Sequence, residues 1–248
     1  MDDALAGFND MDQAIESCKQ LKDLLSHGGF RLRKWCSNDD RVLLHIPNDL
    51  REFSNELEID RSSIVKTLGL LWFPKEDLFG FKIPNLKSLE KITKRVVVSE
   101  MAQLFDPLGL IGSVVVRAKI FVQFLWAERY QWDSELPTEH SNWWIQYRNQ
   151  IAQLTNLRIP RRVLTNSWNR YSIHCFCDAS ERGYGSCVYV VSCEERVVTH
   201  SHLLMSKSRV APLQGLSVPR LELCAALLGG RMMNTIRHST NWSTNPTL

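Results

Sequence analysis

The chain has 248 residues, 44% of them hydrophobic, and a formal charge of +3. That is a globular composition with length for one large domain or two ordinary ones, and it falls short of the basic bias that would by itself indicate a polyanion as partner. No apolar run approaches the roughly 20 residues of a membrane helix, and the acidic start is unlike a secretory leader, so a protein that is neither secreted nor membrane-spanning is expected.

In chain order, Met11, Ala14, Ile15, Cys18, Leu21, Leu24 and Leu25 recur at three- and four-residue steps, with Asp10 placed to cap a helix and Gly28 and Gly29 to end it. Two short strands are expected next, Phe30 to Trp35 with the stem of Lys34 alternating inward, and Val42 to Ile46. Ile64 to Phe73 and Asp77 to Ile83 are rich in β-formers and separated by Pro74, Lys75 and Glu76, which is hairpin spacing. The pattern turns helical from Thr93, with a stripe of Val96, Val97, Met101, Leu104 and Phe105 that stops at Asp106 and Pro107. A second helix is predicted over Val114 to Tyr130, burying Ala118, Phe121, Leu125 and Trp126, and a third over Thr138 to Leu154. The tryptophans at 126, 132, 143 and 144 read as packing residues rather than base-stacking platforms.

Pro160 and the arginines at 158, 161, 162 and 170 mark Thr155 to Tyr171 as the best linker in the chain. Beyond it Ser172 to Asp178, Gly185 to Ser192 and Arg196 to Met205 read as consecutive strands, followed by a helix from about Val218. The seven cysteines include no CxxC pair and read as reduced thiols; Cys175 and Cys177, two apart, share one face of a strand.

Asp178 ends an apolar strand, where an aspartate is often a turn or cap residue. Glu222 stands in the first turns of the last helix, where the macrodipole favours a carboxylate. The two together say more: three antiparallel strands and a returning helix bring Glu222 beside the first strand, and two like charges there call for a cation. Asp2 and Asp3 at the chain start, and Lys34 beyond the first helix, have bland readings as solvated surface groups and a sharper one as metal- and phosphate-binding groups.

The segments DDALAG, GGFRLRKWCSN, TLGLLWFPKEDLFGF, KRVVVSEMAQLFDPLGLIGSVVVRAKIFVQFLW, WDSELP, FCDASERGYGSCVYV and SKSRVAPLQGLSVPRLELCAALL together resemble the Pol polyprotein of BEL/Pao-type LTR retrotransposons. The resemblance implies an α+β N-terminal part, residues 1–92, corresponding to the end of a reverse transcriptase palm. A helical thumb and connection over 93–160 and an incomplete α/β ribonuclease H-like domain over 171–248 would follow it. It implies that Asp2 and Asp3 match the acidic pair of the polymerase, that Lys34 is a nucleotide-binding lysine, and that Leu68, Gly69, Leu70 and Trp72 lie in a hairpin gripping the primer. Asp178 and Glu222 match the first two ribonuclease H carboxylates. Mg²⁺ or Mn²⁺ is then the expected cofactor, and RNA–DNA hybrid, template–primer and the rest of the Pol polyprotein are the expected partners, in the cytoplasm within a virus-like particle or in the nucleus. The first polymerase aspartate and a third ribonuclease H aspartate have no counterpart, so the expectation is a fragment cut at both ends, with no polymerase activity alone. The alternatives are a catalytically dead nucleic-acid-binding relic and an aspartic peptidase, since the DPLGLIG segment resembles one named as a Pao-type peptidase. No apolar-Asp-Thr/Ser-Gly triad accompanies it, and Asp178 is followed by Ala179 and Ser180.

Overall fold

The computed structural model describes residues 4–8, 10–52, 65–67, 70–83, 91–164, 170–194 and 197–239. The chain divides into two compact units, Met1–Gly80 with Arg158–Arg161, and Phe81–Leu157 with Arg162–Leu248. Asp2, Asp3, Leu68 and Gly69 lie outside the described residues.

In the first unit α1 spans Met11–His27, and the Asp10 carboxylate accepts from the Gln13 amide at 3.3 Å while Gly28 closes the far end. The two strands expected after it do not form. Residues 31–34 have no regular element, Trp35 makes only an isolated parallel bridge to Arg51, and Asp40–Leu43 is a short helix, α2. Local side-chain bonds decide this: Ser37 Oγ accepts from the Asp39 amide and Asp39 Oδ1 from the Arg41 amide, at 3.1 and 3.0 Å. Such bonds turn the backbone before the short run Val42 to Ile46, four apolar residues and His45, can extend, and a run that short fits either element. A four-stranded sheet follows, β1 (Val65–Thr67), β2 (Leu70–Phe73), β3 (Leu78–Phe81) and β4 (Ile159–Pro160), in that spatial order. The stretch expected as one strand from 64 to 73 is thus two, β1 and β2, paired antiparallel with Val65 opposite Trp72. The turn into β3 uses Asp77 at φ 53°, whose carboxylate is held by Arg161 Nε and Nη2 at 2.5 and 3.0 Å.

The second unit begins with three helices, α3 (Lys94–Ala102), α4 (Gly112–Ala127) and α5 (Thr138–Ala152). Thr93 Oγ1 caps α3 by accepting from Val96 N–H at 3.3 Å. Their shared core is Val97, Ala118, Phe121, Leu125, Trp144, Tyr147 and Ile151. Trp144 donates to Glu100 Oε2 at 2.8 Å, and the same oxygen meets Arg148 Nε at 3.1 Å. Burial pushes the Tyr147 phenol up to about 12. Three expectations need correction: Phe105, Trp126 and Trp132 are 53%, 49% and 39% exposed. Phe105 lies past the end of α3, where the helical stripe no longer applies. Trp126 is held at the surface by Lys94, only 3% exposed, whose Nζ sits 3.4 Å over the indole and donates to Tyr130 O at 3.1 Å. The ring covers a buried ammonium instead of filling the core.

The sheet of this unit is a meander of β5 (Arg170–Ser180), β6 (Gly183–Glu194) and β7 (Val197–Val210), with α6 (Val218–Ser239) after it. Leu221, Ala225, Leu228, Gly229, Met232 and Ile236 form the buried stripe of α6. They pack on the sheet face that carries Ile173, Cys175 and Val188, and Ser186 Oγ donates to Ala225 O at 2.6 Å. On the other face the DPLGLIG loop is joined to β7: Ser206 N–H donates to Leu108 O at 2.8 Å and Ser206 Oγ donates to Gly109 O. Apart from Arg158–Arg161, which belong to the first unit, the second unit continues beyond the stretch expected as a linker, its loop before α4 being hydrogen-bonded to β7.

That loop is shaped by Asp106, whose carboxylate accepts from the Leu110 and Ile111 amides at 2.8 and 2.9 Å. Burial outweighs these bonds and raises its pKa. A raised folded-state carboxyl pKa contributes stability that is full below the unfolded value and is lost as pH rises through the folded one. Asp106→Asn removes the charge and keeps an acceptor, so the melting temperature of the variant relative to wild type is expected to climb as pH rises from below 3.8 to neutrality; a pH-independent difference would show that the charge on Asp106 carries no such cost.

Candidate functional site

Strand alternation fixes where Asp178 points. Cys175 and Cys177 face Gly229 of α6, where an added Cβ would fall 2.7 and 2.6 Å from their sulfurs. Phe176 and Asp178 therefore leave the sheet on the opposite side, with Gly185 across from Asp178 on β6. A cleft of about 380 Å³ opens there, between α4 and the strands, lined by Ser113, Val116, Phe176, Asp178, Lys207 and Ser208 among others.

Glu222 approaches from the α6 side. Its Oε1 accepts the backbone N–H of Ala179, the residue after Asp178, at 3.3 Å. Both carboxylate-bearing residues are solvent-exposed. Asp178 leaves β5 on the face away from α6 and Glu222 reaches the end of the strand from the α6 side, so what joins them is the Ala179 amide rather than a meeting of the two carboxylates. Among the described residues no group of three or more His, Cys, Asp or Glu side chains is placed to hold a metal. The donor set is two hard carboxylate oxygens, open to solvent, which suits an ion such as Mg²⁺ that keeps several waters and takes only one or two protein carboxylates.

The other sequence candidates lie in the first unit. Lys34 is exposed and takes a left-handed backbone at φ 60°, rather than sitting on a strand. Leu70 is buried in β2. Trp72 Nε1 donates to Asp77 Oδ1 at 3.1 Å, and the Arg161 guanidinium lies 5.7 Å from its ring centroid, so a local cluster already occupies its polar end.

The model of a family described as the Pao retrotransposon-like RNaseH-like domain matches residues 93–247. The chain belongs to that family. The match covers α3 to α6 together, so the helices before the sheet are part of the family's domain, and the whole supports a Pao-type retrotransposon Pol segment. Family membership carries nucleic acid, in general, as the class of partner. No helix among the described residues is long and apolar enough to cross a membrane. No curated protein matches the chain.

One feature of this region escapes a reading of the sequence. The DPLGLIG loop is legible as a helix stop, but its attachment to Ser206 is not, because a hydrogen bond across 97 positions leaves no local pattern. The closeness of Cys175 and Cys177 is foreshadowed by their spacing. Their sulfurs are 3.8 Å apart, and burial followed by the neighbouring thiol pushes Cys175 up to about 11.

Proposed function

We propose that the family domain acts on RNA–DNA hybrid as the ribonuclease H-like part of a retrotransposon Pol polyprotein, with Asp178 and Glu222 as the two carboxylates that hold a divalent ion. The observation that supports this most directly is the Glu222 carboxylate at the amide next to Asp178, inside a domain of an RNase H-like family. Mg²⁺ or Mn²⁺ bound there would neutralise charge at a scissile phosphate and activate water. In this reading Asp178 would meet the ion from the strand and Glu222 from the helix, and the exposure of both leaves room for a nucleic-acid backbone. Ser208, opposite Gly185 in the cleft beside Asp178, offers a hydroxyl to a phosphate without reading bases.

Binding to hybrid is expected to be weak, sequence-independent and salt-sensitive, with a slope of about 0.7 to 0.9 per phosphate contacted. Hydrolysis by the chain alone is expected to be slight, since two carboxylates are only part of the ligand set of a two-ion reaction. The test is Mn²⁺ binding followed by water-proton relaxation, beside titration of a labelled hybrid at rising salt. Asp178→Asn and Glu222→Gln should each weaken Mn²⁺ binding by about tenfold or more, taking outer-shell losses as the lower reference, and leave the fold intact. Equal Mn²⁺ binding in wild type and both variants would overturn the assignment, and hybrid binding that ignores salt would overturn the backbone-contact account. A catalytically inactive nucleic-acid-binding protein is the second reading. It is favoured by Asp178 leaving the sheet on the side away from α6 while Glu222 reaches β5 from the α6 side, and robust cleavage lost in Asp178→Asn would reject it.

The reading of residues 1–92 as the end of a reverse transcriptase palm, with Asp2 and Asp3 as metal ligands, Lys34 at a triphosphate and Leu68, Gly69, Leu70 and Trp72 at a primer end, rests on the sequence resemblance. So does that of 93–160 as polymerase thumb and connection. No primer extension is expected of the chain alone, and extension abolished by Asp2→Asn would overturn that expectation.

A further inference from the structure

Cys175 and Cys177 are adjacent on the α6 side of β5, their sulfurs 3.8 Å apart. Two thiolates bound to one tetrahedral zinc-type ion, each about 2.3 Å from it, also stand about 3.8 Å apart. A disulfide needs about 2.05 Å between sulfurs, and residues two apart on an extended strand have Cα atoms about 6.6 to 6.8 Å apart, at the far limit of disulfide geometry. The backbone thus spaces the pair for a shared ion better than for a bond to each other.

The helix opposite leaves room for them. Gly229 is buried, yet the point where its Cβ would lie is 2.7 Å from the Cys175 sulfur and 2.6 Å from that of Cys177. Any side chain at 229 would fall in the space the two sulfurs occupy. Cys177 is exposed and Cys175 half-buried, so an ion can enter from solvent and keep water in its remaining positions.

We propose that Cys175 and Cys177 form a two-thiolate site for a thiophilic divalent cation of filled d shell, Zn²⁺ being the member of that class for which the sulfur spacing is right. Binding breaks two S–H bonds, forms two metal–sulfur bonds and delivers two protons to solvent; nothing is oxidised or reduced. The site stands apart from the hard-oxygen carboxylates in chemistry, although Cys177 immediately precedes Asp178.

The experiment titrates the full chain with Cd²⁺ as the probe and follows the ultraviolet thiolate-to-cadmium charge-transfer band. Cys175→Ser and Cys177→Ser are each expected to weaken the tightest phase by more than about tenfold, given that even outer-shell losses cost that much, whereas Cys36→Ser and Cys224→Ser leave it in place. A second measurement needs no variant: Zn²⁺ should slow iodoacetamide labelling of Cys175 and Cys177 in the wild-type chain and spare the other thiols. A band that survives both Cys175→Ser and Cys177→Ser, or labelling of the pair that Zn²⁺ does not slow, would overturn the site. Neither readout depends on hybrid binding or cleavage.

Discussion

Trp144→Ala is expected to lower the stability of the second unit by about 4 kcal/mol, within the range for deleting a buried indole. Trp144 is 1% exposed and stacks against Tyr147 and Phe121, with ring centroids 5.1 and 5.8 Å away. Its removal opens a cavity bordered by rings that cannot collapse without leaving their own contacts. It also takes one donor from Glu100, which then faces Arg148 alone in a setting where both side chains are 11% exposed. Trp144→Phe separates the two costs: it keeps a stacked ring and loses the N–H, so about 1.5 to 3 kcal/mol is expected for the charged hydrogen bond. Denaturant unfolding of the three proteins checks the ordering. If the alanine variant were no worse than the phenylalanine one, the aromatic stack would not be what holds α3, α4 and α5 together.

This cluster shows which part of the fold could be read from the residues. Val97, Ala118, Phe121 and Leu125 fall at helical spacing, so the buried faces of α3 and α4 were legible, as were the Asp10 and Thr93 caps and the three-strand meander before α6. Trp126 falls by spacing on the edge of the buried stripe of α4, yet its face covers the Lys94 ammonium, an arrangement set by Tyr130 O, 36 residues along the chain from Lys94. Val42 to Ile46 was misread because an apolar run of that length has no period to count, and two local side-chain bonds decided it. At the candidate site, the order of strands and helix sufficed to bring Glu222 to the neighbour of Asp178. That Asp178 projects on the side away from α6 depends on register, and register was fixed by which residues of β5 pack under Gly229.

Gly109→Ala is expected to destabilise the second unit by about 3 to 5 kcal/mol, far more than its single added methyl suggests. Gly109 has φ +73°, and a Cβ there would lie 1.9 Å from the carbonyl oxygen of Ser206 and 2.6 Å from its carbon. These are backbone atoms of β7, so no side chain can swing aside. The loop must lift, breaking the bond from Ser206 N–H to Leu108 O and that from Ser206 Oγ to Gly109 O. Gly215 is the control: it has φ +74° and nothing within 4 Å of an added Cβ, so Gly215→Ala carries the left-handed backbone penalty alone, about 1 to 2 kcal/mol. The difference between the two variants measures the close approach of the loop to β7. Ser206→Ala, which keeps the backbone bond and loses only the hydroxyl, should fall near 1 kcal/mol. Matching melting curves for Gly109→Ala and Gly215→Ala would mean that the loop before α4 can leave β7 at no cost, and that the helices and the meander are not joined there.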